Sequence, residues 1–380
     1  MVNQSAWMTP ELSVFRDQFR RFLSAELAPR AVGWRRAKMV DRDAWRALGE
    51  IGALLPGVPE PYGGGGTFAF EAAVIEDISA LAPELATGVS VHSTIVAHYI
   101  LNYGSDDQKR RWLPKMARGE FVGAIAMTEP GAGSDLRAVR TTARRVGNSY
   151  VLNGQKTFIT NGHAADLVIV VARTGEPGAK GLSLLVVETA DCPGFRRGRS
   201  LDKIGQHASD TSELFFDEAV APPENLLGAE EGLGFTQLME QLPRERLILA
   251  VASVAAMESA IALTVDYTKQ RKAFGQPLIE FQNSAFRLAE RKTEATIARV
   301  FVDFCIQRLI AGELDTVTAS MAKYWCSEKQ FETVDECLQL HGGYGYMEEY
   351  PIARMFVDAR IQKIYGGANE IMKVIIARSL

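Results

Sequence analysis

The sequence predicts an α+β chain in three successive regions: helical at the N-terminus, a small β-sandwich or barrel in the middle, and helical again to the end. The hydrophobic period predicts it. Apolar residues recur every three or four positions up to about residue 119, every second position between about 122 and 235, and every three or four positions again thereafter. We therefore divide the 380 residues into an N-terminal helical region 1–121, a central β region 122–235 and a C-terminal helical region 236–380.

The first helix is expected at Thr9-Pro10-Glu11, where a capping hydroxyl, a preset φ and an acidic first turn coincide. Phe15, Phe19, Phe22 and Leu23 form one core stripe, and Trp45, Leu48, Ile51 and Leu54 another. Tyr62-Gly63-Gly64-Gly65-Gly66 breaks the chain, and Ser105 caps the helix that carries Trp112. In the β region, Tyr150-Val151-Leu152 is expected to turn at Asn153-Gly154 into Lys156-Thr157-Phe158-Ile159 as a hairpin. Leu167–Ala172, Leu182–Val187 and Leu214–Phe216 read as further strands. Long helices follow near 237–270, 280–311 and 316–341, with shorter ones near 351–362 and 369–378. Asp315 starts the third and Gly342-Gly343 stops it.

Composition narrows the function. Forty-two basic against 46 acidic residues give a net charge of −4, with no basic stripe for nucleic acid. The longest apolar stretch, Leu247–Met257, is about half the ~20 residues that cross a bilayer, so no membrane span is expected. Met1–Arg20 lacks a secretory apolar core, the closing Arg-Ser-Leu is too weak for a peroxisomal address, and Cys192, Cys305, Cys326 and Cys337 have no metal-like spacing. A cytoplasmic protein with reduced thiols and no metal is the expectation.

Five ordered stretches carry the chemistry: Thr128-Glu129-Pro130-Gly131-Ala132-Gly133-Ser134-Asp135; Lys156-Thr157-Phe158-Ile159-Thr160-Asn161; Arg271-Lys272-Ala273-Phe274-Gly275; Gln339-Leu340-His341-Gly342-Gly343-Tyr344-Gly345; and Ile364-Tyr365-Gly366-Gly367-Ala368-Asn369-Glu370. Each alone is ambiguous. The first could be a surface loop, Phe158 an inward strand residue and Arg271 part of a solvated charge run. Together they resemble the acyl-CoA dehydrogenase family over essentially the whole chain, and most closely its long-chain and isovaleryl branch.

That resemblance implies three domains, the last a four-helix-bundle-like unit, and non-covalent FAD. It places Met127, Thr128, Gly133, Ser134, Ile159 and Thr160 at the flavin ring, with Phe158 covering it where the family often has Trp. It gives Arg271, Phe274 and Gln282 to the adenosine diphosphate half of FAD, where a planar guanidinium suits the pyrophosphate, and Gln339, Gly342 and Gly343 to its adenosine end. In the family this second set comes from a neighbouring subunit, which implies a homotetramer built as a dimer of dimers. Ala368 and Glu370 replace the common Thr and Gln, while Asn369-Glu370 suits the long-chain type, so some cofactor contacts at 368–370 are expected from main chain.

Removing the α-proton of a thioester needs a base. Many family members carry that Glu directly after the tyrosine matching Tyr365; here the position is Gly366. The isovaleryl and long-chain branch carries it instead on a helix with a Glu-Arg pair, and Arg244-Glu245-Arg246 stands there, which makes Glu245 the candidate base. The plainer reading is a Glu in a first helical turn opened by Pro243, held by the helix dipole or by Arg246. Gly366 is expected to leave room for Glu245 and to offer its N–H, with a flavin ribityl hydroxyl, to the thioester oxygen. Tyr365, Gly366 and Gly367 thus border the substrate; Ser134, Arg246 and Lys180 match positions along the CoA arm. Pro243 stands where other members have Asp, and that contact is missing. The implied activity is α,β-dehydrogenation of an acyl-CoA, in fatty acid β-oxidation, with electrons passed to electron-transfer flavoprotein. An oxidase using O2 and a catalytically silent flavoprotein or binding subunit are the alternatives.

Overall fold

A computed structural model of the chain describes residues 5–380; the first four residues of the Met1–Arg20 reading lie outside the described residues. Thr9 is the N-cap, its hydroxyl accepting from the Leu12 N–H, and Pro10 opens α1 (Pro10–Phe22), which a π-helical turn prolongs to Leu27. Then come α2 (Ala31–Ala37), α3 (Arg42–Glu50), α4 (Phe68–Leu81), α5 (Ala86–Val89), a π-helical stretch Ser90–Val96, α6 (Ala97–Tyr103) and α7 (Asp106–Ala117). Ser105 and Gln108 cap α7 reciprocally. Phe19, Leu23, Trp45, Leu48 and Leu54 are buried, with Phe15, Phe22 and Ile51 packed against them. The buried acids of α4 have partners: Arg16 of α1 reaches Glu76 and Asp77, each at 2.8 Å.

The strands are β1 (Gly123–Ala126), β2 (Thr142–Val146), β3 (Ser149–Thr160), β4 (Leu167–Arg173), β5 (Leu182–Glu188), β6 (Phe195–Ser200), β7 (Thr211–Ala221) and β8 (Leu226–Leu227). They form one sheet in the order β6-β7-β3-β2-β4-β5-β8, with β1 parallel on β4. Its two halves are joined in the ladder at Thr142↔Arg173 and close around a shared core that includes Leu152, Val170, Leu185 and Phe216. β4 alternates between two cores. Val168, Val170 and Ala172 point into the β core, whereas Leu167, Ile169 and Val171 join the helical core, which explains its unbroken apolar run. The expected hairpin at Asn153-Gly154 is corrected: β3 runs straight through it. Asn153-Gly154 is a register shift against β7, and the turn lies earlier, at Gly147-Asn148, where Gly147 supplies a φ of +57°.

The C-terminal region holds α8 (Gly234–Gln270), a hairpin of β9 (Lys272–Ala273) and β10 (Gln276–Pro277), α9 (Gln282–Ile310), α10 (Thr316–His341), α11 (Pro351–Ala359) and α12 (Asn369–Ala377). α10 packs along α8 and α9, α12 and α11 lean on α10, and α4 lies on α8. α8 is long and apolar enough to cross a bilayer, yet 61% of its most apolar window is buried against these neighbours. Pro243 is not at its start: α8 begins at Gly234, so Pro243 lies inside it, and the boundary drawn after 235 cuts its first turn.

Candidate active site

Glu245 sits eleven residues inside α8, so the reading that places it in a first turn held by the helix dipole is withdrawn. The residue is 5% exposed. Tyr99 of α6, fully buried, donates to Glu245 Oε1 at 2.8 Å. Among the described residues Oε2 takes no hydrogen bond. Burial pushes the Glu245 carboxyl up to about 7, against the opposing pull of the Tyr99 hydroxyl and the Arg246 charge. This is the range of a general base working near neutral pH.

Arg246 goes elsewhere. Expected along the CoA arm, it is 4% exposed and its Nη1 donates to Ser320 of α10 at 3.2 Å. The next position on a helix turns by about 100°, which carries Arg246 from the Glu245 face into the α8–α10 interface. Arg244 turns the other way, onto Glu71 of α4 and within 2.8 Å of His98 Nε2.

One turn beyond Glu245, on the same face of α8, Leu249 packs against Gly366. A Cβ at 366 would lie 2.2 Å from Leu249 Cδ1, and Gly366 has a φ of +62°. The expected room at Gly366 is thus already filled, by Leu249, and the face of α8 that carries Glu245 is the one turned toward Tyr365-Gly366-Gly367. Lys323 of α10 fixes this segment, donating to the Gly367 carbonyl at 2.7 Å and to Asn369 Oδ1 at 2.8 Å. Burial lowers the Lys323 ammonium to about 7. The Asn369 amide donates in turn to Ser327 and Glu328, so its side chain is spent inside the protein and only its main chain is left for a ligand. Burial pushes the Tyr365 hydroxyl up, with Gln206 and Thr87 as the neighbours that oppose the shift.

The loop at 127–135 is braced by a buried ion pair. Lys156 Nζ meets Glu129 Oε1 at 2.8 Å and the Met127 carbonyl at 3.1 Å, while the Arg140 and Thr141 N–H groups donate to the same carboxylate. The Thr157 N–H donates to the Thr128 carbonyl. Both carbonyls being used, Met127 and Thr128 have N–H and hydroxyl left for a ligand. Phe158 is 67% exposed at a φ of +59°, so it is not an inward strand residue; an exposed aromatic held in the left-handed region is strain of the kind kept at binding sites. Ile159 points its side chain into the β core, leaving only main chain, and Thr160 beside it is half-buried. Gly131, Gly133 and Ser134 are exposed, and a Cβ at either glycine would meet nothing in this chain.

Two adjacent residues of α5 lie between these halves. The Gly88 carbonyl accepts from Asn161, next to Thr160, and the Thr87 hydroxyl donates to Gln206, both of them near Tyr365. The third group lies apart. Arg271 stacks on Tyr344 at 5.6 Å, and Tyr267 lies 4.2 Å from His341, gathering Arg271, Gln339, Gly342 and Gly343 at the far end of α8 and α10. Gln282, Gln339, Gly342 and Gly343 are exposed, and Phe274 is 97% exposed in a two-residue turn with both φ values positive. At 1.5 Å per residue, Arg271 is about 39 Å along α8 from Glu245. Lys180 is exposed on the loop before β5. Tyr99, Thr87, Gln206 and Lys323 escaped the sequence reading; only Lys323, a cation in the apolar run Met321–Trp325, left a signal there.

The chain matches the family models described as acyl-CoA dehydrogenase N-terminal domain over residues 9–120, middle domain over 124–219 and C-terminal domain over 232–380. It is 48% identical to the mitochondrial long-chain specific acyl-CoA dehydrogenase of Sus scrofa, over 97% of this chain and 86% of that protein. The crystal structure of an acyl-CoA dehydrogenase from Geobacillus kaustophilus superposes with a TM-score of 0.96 at 48% identity, over 99% of each chain. A glutaryl-CoA dehydrogenase from Mycobacterium smegmatis, solved in complex with FADH2, superposes at 0.93 with 27% identity, over 99% of this chain and 96% of that one.

Proposed function

Because the chain belongs to the acyl-CoA dehydrogenase family, and so is an enzyme of acyl-CoA metabolism, we propose that it converts an acyl-CoA thioester to the 2,3-enoyl-CoA with Glu245 as the base. The observation that carries the reading is the buried carboxylate of Glu245, with one oxygen tied to Tyr99 and the other without a hydrogen bond among the described residues, on the face of α8 that meets Gly366. Glu245 takes the α-proton while the C2–H electron pair forms the new double bond and the C3 hydride departs. The Gly366 N–H is our candidate donor to the thioester oxygen, where it would stabilise the developing enolate. Ser134 and Lys180, both exposed, serve the CoA arm, and Gly367 is held in place by Lys323.

The residues fit FAD. Exposed Phe158 and the open Gly131-Ala132-Gly133 loop suit a flat, anionic ligand, with Met127, Thr128, Ile159 and Thr160 offering N–H groups and hydroxyls. Bound there, FAD supplies the oxidant that accepts the hydride. Arg271, Phe274, Gln282, Gln339, Gly342 and Gly343 suit the adenosine diphosphate half, but about 39 Å of helix separates them from Glu245. They therefore complete the site of another copy, and we assign the enzyme a tetramer of two dimers. We further assign it a cytoplasmic location and electron-transfer flavoprotein as acceptor.

Anaerobic reduction of the purified protein by straight and branched acyl-CoAs tests the reading. Bleaching of the flavin band is expected; absence of bleaching with every thioester would leave a silent flavoprotein. Peroxide formation without another acceptor would make it an oxidase.

A further inference from the structure

We infer that Tyr99 is a positioning residue for the base: its hydroxyl fixes the Glu245 carboxylate through Oε1 and leaves Oε2 as the oxygen that takes the proton. The inference rests on the reading of Glu245 given above. A Glu side chain has three rotatable bonds, and a base that wanders loses the orientation on which proton transfer depends. Tyr99 is built to prevent that. It is fully buried, its ring lies 6.1 Å from that of Tyr103, and it stands on a different region of the chain from α8. The next residues repeat the tie, since His98 Nε2 lies 2.7 Å from Glu71 Oε1 and Arg244 binds the same Glu71. Two consecutive residues of α6, His98 and Tyr99, thus address two consecutive residues of α8, Arg244 and Glu245, and a slide of one helix along the other would break both contacts.

The groups that face Glu245 are few. Tyr99 comes from α6, and the charge of Arg246, turned into the α8–α10 interface, acts on Glu245 only through space. Nearby charges are engaged elsewhere: Arg244 with Glu71 of α4, Tyr103 of α6 with Glu240 at 2.7 Å, and Lys323 of α10 with the Gly367 carbonyl. Among the described residues the Tyr99 hydroxyl is therefore the one hydrogen bond favouring the charged form, and removing it raises the carboxyl further.

Tyr99→Phe keeps the ring and removes the donor. The acid limb of the kcat/KM profile is expected to move up by about one pH unit, roughly a tenfold loss below that limb, with flavin absorbance retained. 3-Fluorotyrosine at position 99, a stronger donor of nearly the same shape, is expected to move the limb down, which keeps the test alive should the Phe variant fold poorly. In both proteins the pH dependence of thermal stability should shift in the same direction as the rate profile. Profiles superimposable on wild type in both variants would overturn the inference. Glu245→Gln separates the two ideas: a dead Gln variant beside unmoved Tyr99 profiles removes only Tyr99, whereas a fully active Gln variant removes the base itself.

Discussion

The base side and the cofactor side of the candidate site are finished to different degrees. Around Glu245 the chain supplies its own partners: Tyr99 holds one oxygen, Leu249 closes on Gly366, and Lys323 locks the Gly367 carbonyl. Around Phe158 and Phe274 it stops short, with two large aromatics 67% and 97% exposed, both in the left-handed region, and with Gly131 and Gly133 open, where a Cβ would meet nothing in this chain. A closed half can be tuned by folding alone. An open half stores exposed apolar surface and backbone strain that only a ligand or a second copy relieves.

The largest expected effect breaks the closed half. Glu245→Gln should lower turnover ~10²–10⁴-fold while the protein keeps its yellow flavin, as measured by steady-state rates and absorbance. Gly366→Glu added to that variant should restore little, because the new side chain meets Leu249; adding Leu249→Ala should recover part of the rate.

Lys156→Met tests the brace of the 127–135 loop on the open half. Leaving Glu129 without its cation should cost about 3 kcal/mol in urea unfolding, the scale for breaking a buried pair. Next in size is the pH dependence of stability. Glu245 titrates near 7 in the folded chain and at 4.5 when exposed, so the charged form is penalised by folding. The penalty is full above pH 7 and fades as pH falls toward 4.5. Glu245→Gln should therefore be more stable than wild type at pH 8, by up to roughly 3 kcal/mol, and equal to it below pH 4.5, as read by thermal melts.

The smallest effect sharpens the open half. Phe158→Gly should leave the flavin-free chain as stable or up to about 1 kcal/mol more stable, since glycine accepts a positive φ. The same change should weaken FAD binding roughly tenfold, measured by flavin fluorescence. Loss of stability with unchanged FAD binding would mean that Phe158 is structural.

Much of this was legible in the sequence. Thr9, Ser105 and Asp315 act as the caps their types suggest, because capping is decided within four residues. The start of α8 was misread. Pro243 is a plausible first-turn residue locally, and only packing of Gly234–Pro243 on its surroundings extends the helix past it. Asn153-Gly154 misled for a similar reason: the dipeptide favours a turn, but pairing with β7 on one side and β2 on the other absorbs it as a bulge.

The order of helical and β regions, the caps and the glycine loops are set by residue type and spacing, since each depends on neighbours along the chain, whereas Glu245 is marked out as the base only by the resemblance to the long-chain and isovaleryl branch. That Tyr99 meets Glu245 across 146 positions, that Arg246 turns into the helix interface, and that Leu249 occupies the place of a missing side chain were decided by tertiary packing. Desolvation completes the difference. A glutamate in a sequence is an ordinary acid near 4.5, and it becomes a base near 7 only where the fold removes water from around it.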